Sequence, residues 1–298
     1  MSFRSRLRPL KRGTAAALER GWALAFHAMA FASHRQIGRL RTSGGQRILI
    51  VAPHPDDEAI GCAGTAMLHV DAGDRVRIAI ATDGRRSRAL PDPVTMATQR
   101  KREAEEAARL MRVESLQWLG LPEGEWGLSD MTRALVTVLQ EFTPDIVYAP
   151  SQLDFHPEHL KVAHALALAL ETLRNPPARL RIYQIQVPLT TLLANLVADV
   201  SSLSSRCDAV LAAYVSQVGS VQCTYRQRGY AAQRHGISLQ AEEFWDMSAS
   251  RYVRLHRDFP NYRPYAFRGL RYFPLTDPLA YLVGRQERRA LRLREIGS

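Results

Sequence analysis

Residues 48–53 read ILIVAP, a short unbroken apolar run of the kind shown by a strand covered on both faces in a parallel sheet. The period then changes. A helix is expected over 58–71, a β-branched strand over 75–81 and an Ala-rich, charged helix over 95–111. The theme repeats with a strand at 115–119, a helix at 131–142, a strand at 145–149, a helix at 158–173 and a fifth strand at 181–187. Strands separated by helices cannot pair as tight hairpins. They predict a parallel sheet with helices on both faces, an α/β fold. In such sheets ligands collect at the carboxyl ends of the strands. From 195 onward the pattern weakens: 206–218 reads as a helix, and 252–278 is rich in Arg, Tyr, Phe and Pro with no period.

Charge narrows the function classes. The 298 residues carry a formal net charge of +11, which taken alone suggests a nucleic-acid partner. The excess is at the two ends. Residues 1–46 hold nine Lys or Arg against one acid, residues 285–298 hold five Arg against two Glu, and residues 47–284 are neutral overall. A nucleic-acid-binding fold carries its positive charge on the fold itself, so nucleic acid is not the expected partner. Basic ends fit an anionic surface better. Cys62, Cys207 and Cys223 form no CxxC pair, which argues against a disulfide framework and for a reducing compartment. The expected location is cytoplasmic, either free or peripheral to the inner face of the membrane.

Three units are expected: a basic amphipathic extension over 1–45, a catalytic domain over 46–275 and a basic helical tail over 276–298. Residues 14–33 are apolar, but Glu19, Arg20 and His27 interrupt them, so they do not read as a spanning helix. Leu18, Trp22, Ala25, Phe26 and Met29 recur at helical spacing, flanked by arginines. That is either a helix lying on an anionic membrane or one packed on the domain or a second subunit. Ala30-Phe31-Ala32 resembles a signal-peptidase site, a reading that His27 and the short apolar run oppose. The stretch 279–296 reads as a helix serving the domain or a homo-oligomer interface.

Two clusters of metal-capable side chains follow two of the predicted strands. One is His54-Pro55-Asp56-Asp57-Glu58; the other runs from Asp154 through His156 and Pro157 to His159. Either alone has a bland explanation, a helix start with acids in its first turn or two neighbours on one helical face. Both at carboxyl ends of parallel strands, each stiffened by proline, point to one divalent ion. The ligands are assigned as His54, Asp57 and His159. Imidazole and carboxylate suit zinc, and three protein ligands leave a place for water. Two histidines and one carboxylate also suit iron(II). No Ser/His/Asp set or G-x-S-x-G motif is visible, so covalent catalysis has no support.

Here the sequence resembles the PIG-L/LmbE family of metal-dependent N-acetyl-sugar deacetylases. The resemblance is carried by APHPDDEAIGCAGT (52–65), TDG (82–84), Arg100-x-x-Glu103, LPEG (121–124), PDIVYAPSQLDFHPEH (144–159) and ADVSSLSSRCDAVLAAYVSQ (198–217), covering about 46–250. It implies a Rossmann-like three-layer sandwich with a mostly parallel sheet. It also implies His54, Asp57 and His159 as ligands, Asp56 as general base and His156 as the acid that stabilises the oxyanion. Two departures stand out: Glu158 where the family usually has Asp, and Asp208 where many members have a base.

The implied reaction removes an N-acetyl group from an N-acetylglucosamine-type sugar of a glycoconjugate. The ion polarises the carbonyl and acidifies water, Asp56 takes the proton and a protonated His156 completes the transfer. Substrate contacts are expected from Arg85 and Arg86, which suit an anion unless they are merely solvated, and from Arg100, unless it simply pairs with Glu103. Asp154 is expected to hold a neighbouring imidazole or to be a loop acid at the substrate face. The basic N-terminus favours an anionic or lipid-linked substrate. Two other readings compete: a non-haem iron oxygenase on the same ligand set, and a non-catalytic membrane-associated partner. His69, His164, His235 and His256 stand alone and read as structural.

Overall fold

The computed structural model describes residues 21, 24, 25, 28, 37–154, 156–258 and 285–296. The expected surface helix over 14–33 therefore lies almost wholly outside the described residues, as do the aromatic stretch 259–278 and Phe155. Among the described residues no helix is long and apolar enough to cross a membrane.

The chain builds β1 Gly38–Arg39, β2 Arg47–Ala52, α1 Asp57–Asp71, β3 Arg75–Thr82, α2 Pro93–Met111, β4 Ser115–Leu121, α3 Leu128–Phe142, β5 Ile146–Ala149, α4 Pro157–Thr172 and β6 Arg179–Tyr183. It continues with α5 Thr190–Leu193, β7 Leu196–Asp199, α6 Ser204–Ala212, α7 Val218–His235, β8 Ala241–Met247, α8 Ala249–Asp258 and α9 Arg285–Ile296. One sheet results, in the order β1-β7-β8-β6-β5-β2-β3-β4. Its pairs are parallel except where β8 runs against both β6 and β7.

The apolar run of β2 explains the three layers. Successive side chains of a strand face opposite ways. Ile48, Ile50 and Ala52 join Ile78, Ile80 and Tyr148 under residues of α1, α2 and α6, such as Met67, Ala107 and Val210. Leu49 and Val51 join Ala79, Val147 and Ile182 under α3, α4 and α8, through Leu135, Leu166 and Tyr252. Both sets are essentially fully buried. Close packing on the first face depends on small residues. A Cβ on Gly61 of α1 would overlap the Tyr183 ring, whose hydroxyl donates to Val51 O at 2.7 Å. Gly61→Val is therefore expected to cost about 1–3 kcal/mol through overpacking, read as a lower midpoint in thermal or urea unfolding.

The sheet order also places the site. From β2 the chain moves outward through β3 and β4, then returns to the other side of β2 with β5 and β6. The gap between the carboxyl ends of β2 and β5 is thus the topological switch point, where an open α/β sheet has its crevice.

Several expectations shift. The fifth strand comes earlier than 181–187, as β6. Strands β7 and β8 and helix α7 were not anticipated, and the helix expected over 206–218 ends at Ala212. Strand β8 contains Glu242 and Glu243, which break an apolar pattern, yet both are buried. Glu242 accepts from the Gly64 and Thr65 amides at 3.0 and 2.8 Å and pairs with Arg228 of α7 at 2.5 Å. Glu243 pairs with Arg234 and with His235 at 2.6 Å. Pairing is what permits acids there. The sheet starts at β1, ahead of the expected boundary at 46. Helix α9 packs on the domain: Leu291 is buried and Arg288 donates to Pro188 O at 3.0 Å. His69, bonded to Asp74 and Tyr148 at 2.6 and 2.9 Å, holds core structure together, as an isolated histidine should.

Candidate metal centre

Both motif loops arrive at the switch point. The first leaves β2 and turns into α1. Asp56 is its N-cap, with φ 124 and no side-chain cap bond. A non-glycine residue in that region is strained and is held there by its surroundings. The Asp56 amide donates to Glu58 Oε2 at 3.2 Å, and Glu58 in turn accepts from Tyr214. The Asp56 carboxylate points to Arg100, 2.6 Å from Oδ1 to Nη2. The bland N-cap role is thus not what the side chain does.

The second loop leaves β5 and turns into α4, with Pro157 at the first helical position and His156 as N-cap. The His156 Nδ1 accepts the Glu158 amide at 3.3 Å. In the neutral ring that leaves the proton on Nε2. Glu158 itself reaches the Trp126 indole N–H at 2.7 Å, a use for the longer side chain.

Three donor atoms converge between the loops. His54 Nδ1 is 3.1 Å from His159 Nε2 and 3.2 Å from Asp57 Oδ2, and His159 Nε2 is 3.3 Å from Asp57 Oδ2. Ligands about 2.0–2.1 Å from a tetrahedral ion stand about 3.3 Å from one another, so this triangle fits an N,N,O zinc-type site. A second grouping, His54, His156 and His159, spans up to 4.8 Å, looser than the triangle with Asp57. His156 lies beside the triangle, its ring 4.6 Å from His159 and 4.8 Å from His54 between centroids.

The electrostatics also call for a cation. Asp56, Asp57, Glu123 and Asp154 are all buried here, and among the described residues Arg100 is the guanidinium paired with one of them, Asp56. Burial pushes the Asp57 carboxyl up, but His159 and His54 outweigh it and hold it well below the usual range. Burial would lower His159, yet Asp57 and Asp154 raise it well above the ordinary imidazole value. Asp56 is pushed up to about 6 by burial, with Arg100 pulling it down. His156 is lowered to about 4, first by burial and then by the neighbouring histidines. That favours the neutral ring over the protonated form expected from the sequence.

The remaining expected site residues divide. Asp154 is fully buried and 3.1 Å from His159 Nδ1. It therefore stands behind the His159 ring, where a carboxylate can fix an imidazole's orientation, and it is closed off from the surface. Arg100 is buried against Asp56 and Pro55 O rather than paired with Glu103, which instead accepts from Ser216. Arg85 pairs with Asp83 at 2.6 Å. Arg86 is exposed, its guanidinium lies against Gly124, and its backbone amide donates to Glu123 at 2.8 Å. Glu123 was not singled out in the sequence. It sits in the loop after β4, crosses over the end of β3 and brings Oε1 to 3.5 Å from His54 Nε2. Burial pushes its carboxyl up, but His54 and the Arg86 amide prevail and leave it at about 2. Asp154 and Glu123 thus each stand next to one of the two imidazoles, 3.1 Å from His159 Nδ1 and 3.5 Å from His54 Nε2. Cys62 is buried and its thiol is pushed well up by that burial, so it is no nucleophile.

The chain is similar to several known proteins. Residues 49–170 match the model of the family described as PIG-L, GlcNAc-PI de-N-acetylase. A probable N-acetyl-alpha-D-glucosaminyl L-malate deacetylase 2 of Bacillus cereus is 30% identical over 122 residues, covering 38% of this chain and 53% of that protein. The diacetylchitobiose deacetylase of Thermococcus kodakarensis is 30% identical over 134 residues, 42% of this chain and 48% of that one. The chain spans about half the length of the curated relatives it matches. Among solved structures, N,N'-diacetylchitobiose deacetylase from Pyrococcus horikoshii superposes with a TM-score of 0.61 at 22% identity, over 70% of this chain and 85% of that one. The conserved protein TT1542 from Thermus thermophilus does so with 0.59 at 26% identity, over 67% and 93%. The first of these likenesses bears on the fold alone.

Proposed function

We propose that the protein is a metal-dependent hydrolase that removes the acetyl group from an N-acetylglucosamine-type sugar of a glycoconjugate, a reading supported by the match of residues 49–170 to the PIG-L family. The observation that carries this reading is the triangle of His54, Asp57 and His159 with Asp56 and His156 beside it. The first three would hold the ion, with zinc suited to their donor set. When bound, the ion supplies a Lewis acid for the acetamide carbonyl and lowers the pKa of water.

The chain's own residues do the rest. Asp56 Oδ1 is held by Arg100, leaving Oδ2 to take a proton from the attacking water. As oxygen bonds to the carbonyl carbon, charge collects on the carbonyl oxygen. The Nε2–H of neutral His156 donates to that oxygen, which needs no imidazolium. Asp56 then returns the proton to nitrogen as the C–N bond breaks, giving acetate and a free amine. A group that gives and takes one proton works best with a pKa near the working pH, and burial moves Asp56 in that direction.

Asp56 acts deprotonated, so kcat/KM should fall as pH drops through about 6. Arg100 is the strongest influence lowering that value. Arg100→Gln should therefore move the acid limb to higher pH, measured as a full pH profile; a limb that does not move would detach Asp56 from it. The function itself is tested by a screen of N-acetylated sugars, free and lipid-linked, for released acetate with and without chelator. Release that chelator abolishes supports the reading, and no release from any sugar refutes it.

A further inference from the structure

The stretch 198–217 has no task in the reaction above. Its end, Tyr214-Val215-Ser216-Gln217, follows α6 and closes as a tight turn. Two side chains of this turn reach the two elements that hold Asp56. Resting on the deacetylase reading above, we propose that Tyr214 and Ser216 are positioning residues: from one turn they fix Glu58 and Arg100, and through them the posture of Asp56.

Asp56 needs such support. Its φ of 124 is one that a non-glycine residue keeps only where its surroundings impose it. The Asp56 amide donates to Glu58 Oε2 at 3.2 Å, and Oδ1 accepts from Arg100 at 2.6 Å. The first grip is backed by Tyr214, whose buried hydroxyl donates to Glu58 Oε1. That bond fixes the Glu58 carboxylate with its other oxygen at the Asp56 amide. The second grip is backed by Ser216. Its amide and hydroxyl donate to Glu103 Oε1 and Oε2 at 2.9 and 2.7 Å. Glu103 lies one helical turn beyond Arg100 on α2, and Gln99 donates to it at 2.9 Å. The part of α2 that projects Arg100 is thus tied to the turn.

The turn is itself fixed. The Tyr214 and Gln217 amides donate to Leu211 O and Tyr214 O at 3.2 and 3.0 Å, and the Gln217 side chain donates to Ser87 Oγ at 2.9 Å. Packing alone does not require these polar groups. Cys207, Val210, Leu211 and the Tyr214 ring already seat this segment in the apolar core, and a phenylalanine would fill the same space. What the hydroxyl adds is direction, and a reacting group misplaced by about 1 Å costs about 10²-fold in rate.

The test uses the full chain and the N-acetylated sugar that releases most acetate in the screen above. Tyr214→Phe should lower kcat by about tenfold, the loss of one hydrogen bond to a charged group, with KM and metal content unchanged. A double-mutant cycle separates positioning from general damage. In an Asp56→Asn background Tyr214→Phe should change the residual rate little, because the group it positions no longer takes a proton. Wild-type kcat, equal loss in both backgrounds, a change confined to KM, or loss of metal overturns the proposal and leaves the deacetylase reading standing. If Tyr214→Phe does not fold, Ser216→Ala, at a half-buried position, carries the same cycle under the same criteria. If no sugar releases acetate, the deacetylase reading falls, and crystal structures of the wild type and the folded variant judge the turn. An Asp56 that leaves its positive φ or turns its carboxylate away from Arg100 in the variant supports the positioning role, and an Asp56 unmoved between the two overturns it.

Discussion

His159→Ala should abolish both metal binding and acetate release. His159 faces both other proposed ligands and a buried acid, with Nε2 toward His54 and Asp57 and Nδ1 toward Asp154. Removing it leaves two donors, too few for a zinc-type site built from three protein ligands. It also leaves Asp154 fully buried with its imidazole partner gone. Breaking such a buried pair costs about 3–5 kcal/mol, so the variant should melt lower as well. His159→Gln separates the two effects. Its amide N–H can still face Asp154, so more of the stability should return, while metal content and acetate release stay lost. Either variant retaining a full complement of metal and wild-type turnover would contradict the ligand assignment.

The second large effect is expected at Asp56. Asp56→Asn keeps the shape of the side chain and leaves its Oδ1 able to accept from Arg100. It removes the ability to take a proton. The rate should fall by about 10²–10⁴, the usual contribution of general acid–base catalysis, with metal content unchanged. Because Asp56 makes no side-chain cap bond, helix stability should change little. A variant that turns over normally would show that another group is the base. Loss of metal in this variant would instead place Asp56 among the ligands, against the distances seen at Asp57.

How much of this was legible beforehand follows from which interactions are local. The run at 48–53 showed the central strand, because burial on both faces leaves no polar position. The His54 and His156–His159 clusters were visible because each is contiguous in sequence, and parallel connectivity alone brings both to the same edge. The flank built from β7, α7 and β8 was hidden, because Glu242 and Glu243 look like surface residues until Arg228, Arg234 and His235 are placed beside them. Glu123 was hidden for a related reason. LPEG says nothing of itself, and its value comes from crossing the end of β3 to reach His54. Arg100 was noticed as a site residue, with Glu103 as the bland alternative partner, but its contact with Asp56 was not visible, because Asp56 is distant in sequence and near only in space. His156 does lie beside the other two imidazoles, and burial next to them lowers its pKa, an effect that the sequence does not display.

The central claim is that one ion is gripped by His54, Asp57 and His159. The most direct measurement is anomalous diffraction at the zinc edge from crystals of the full chain grown with one equivalent of zinc. A single peak about 2.0–2.2 Å from His54 Nδ1, Asp57 Oδ2 and His159 Nε2 is predicted. A peak held by other residues, or the imidazoles of His54 and His159 turned apart with no peak between them, would contradict it.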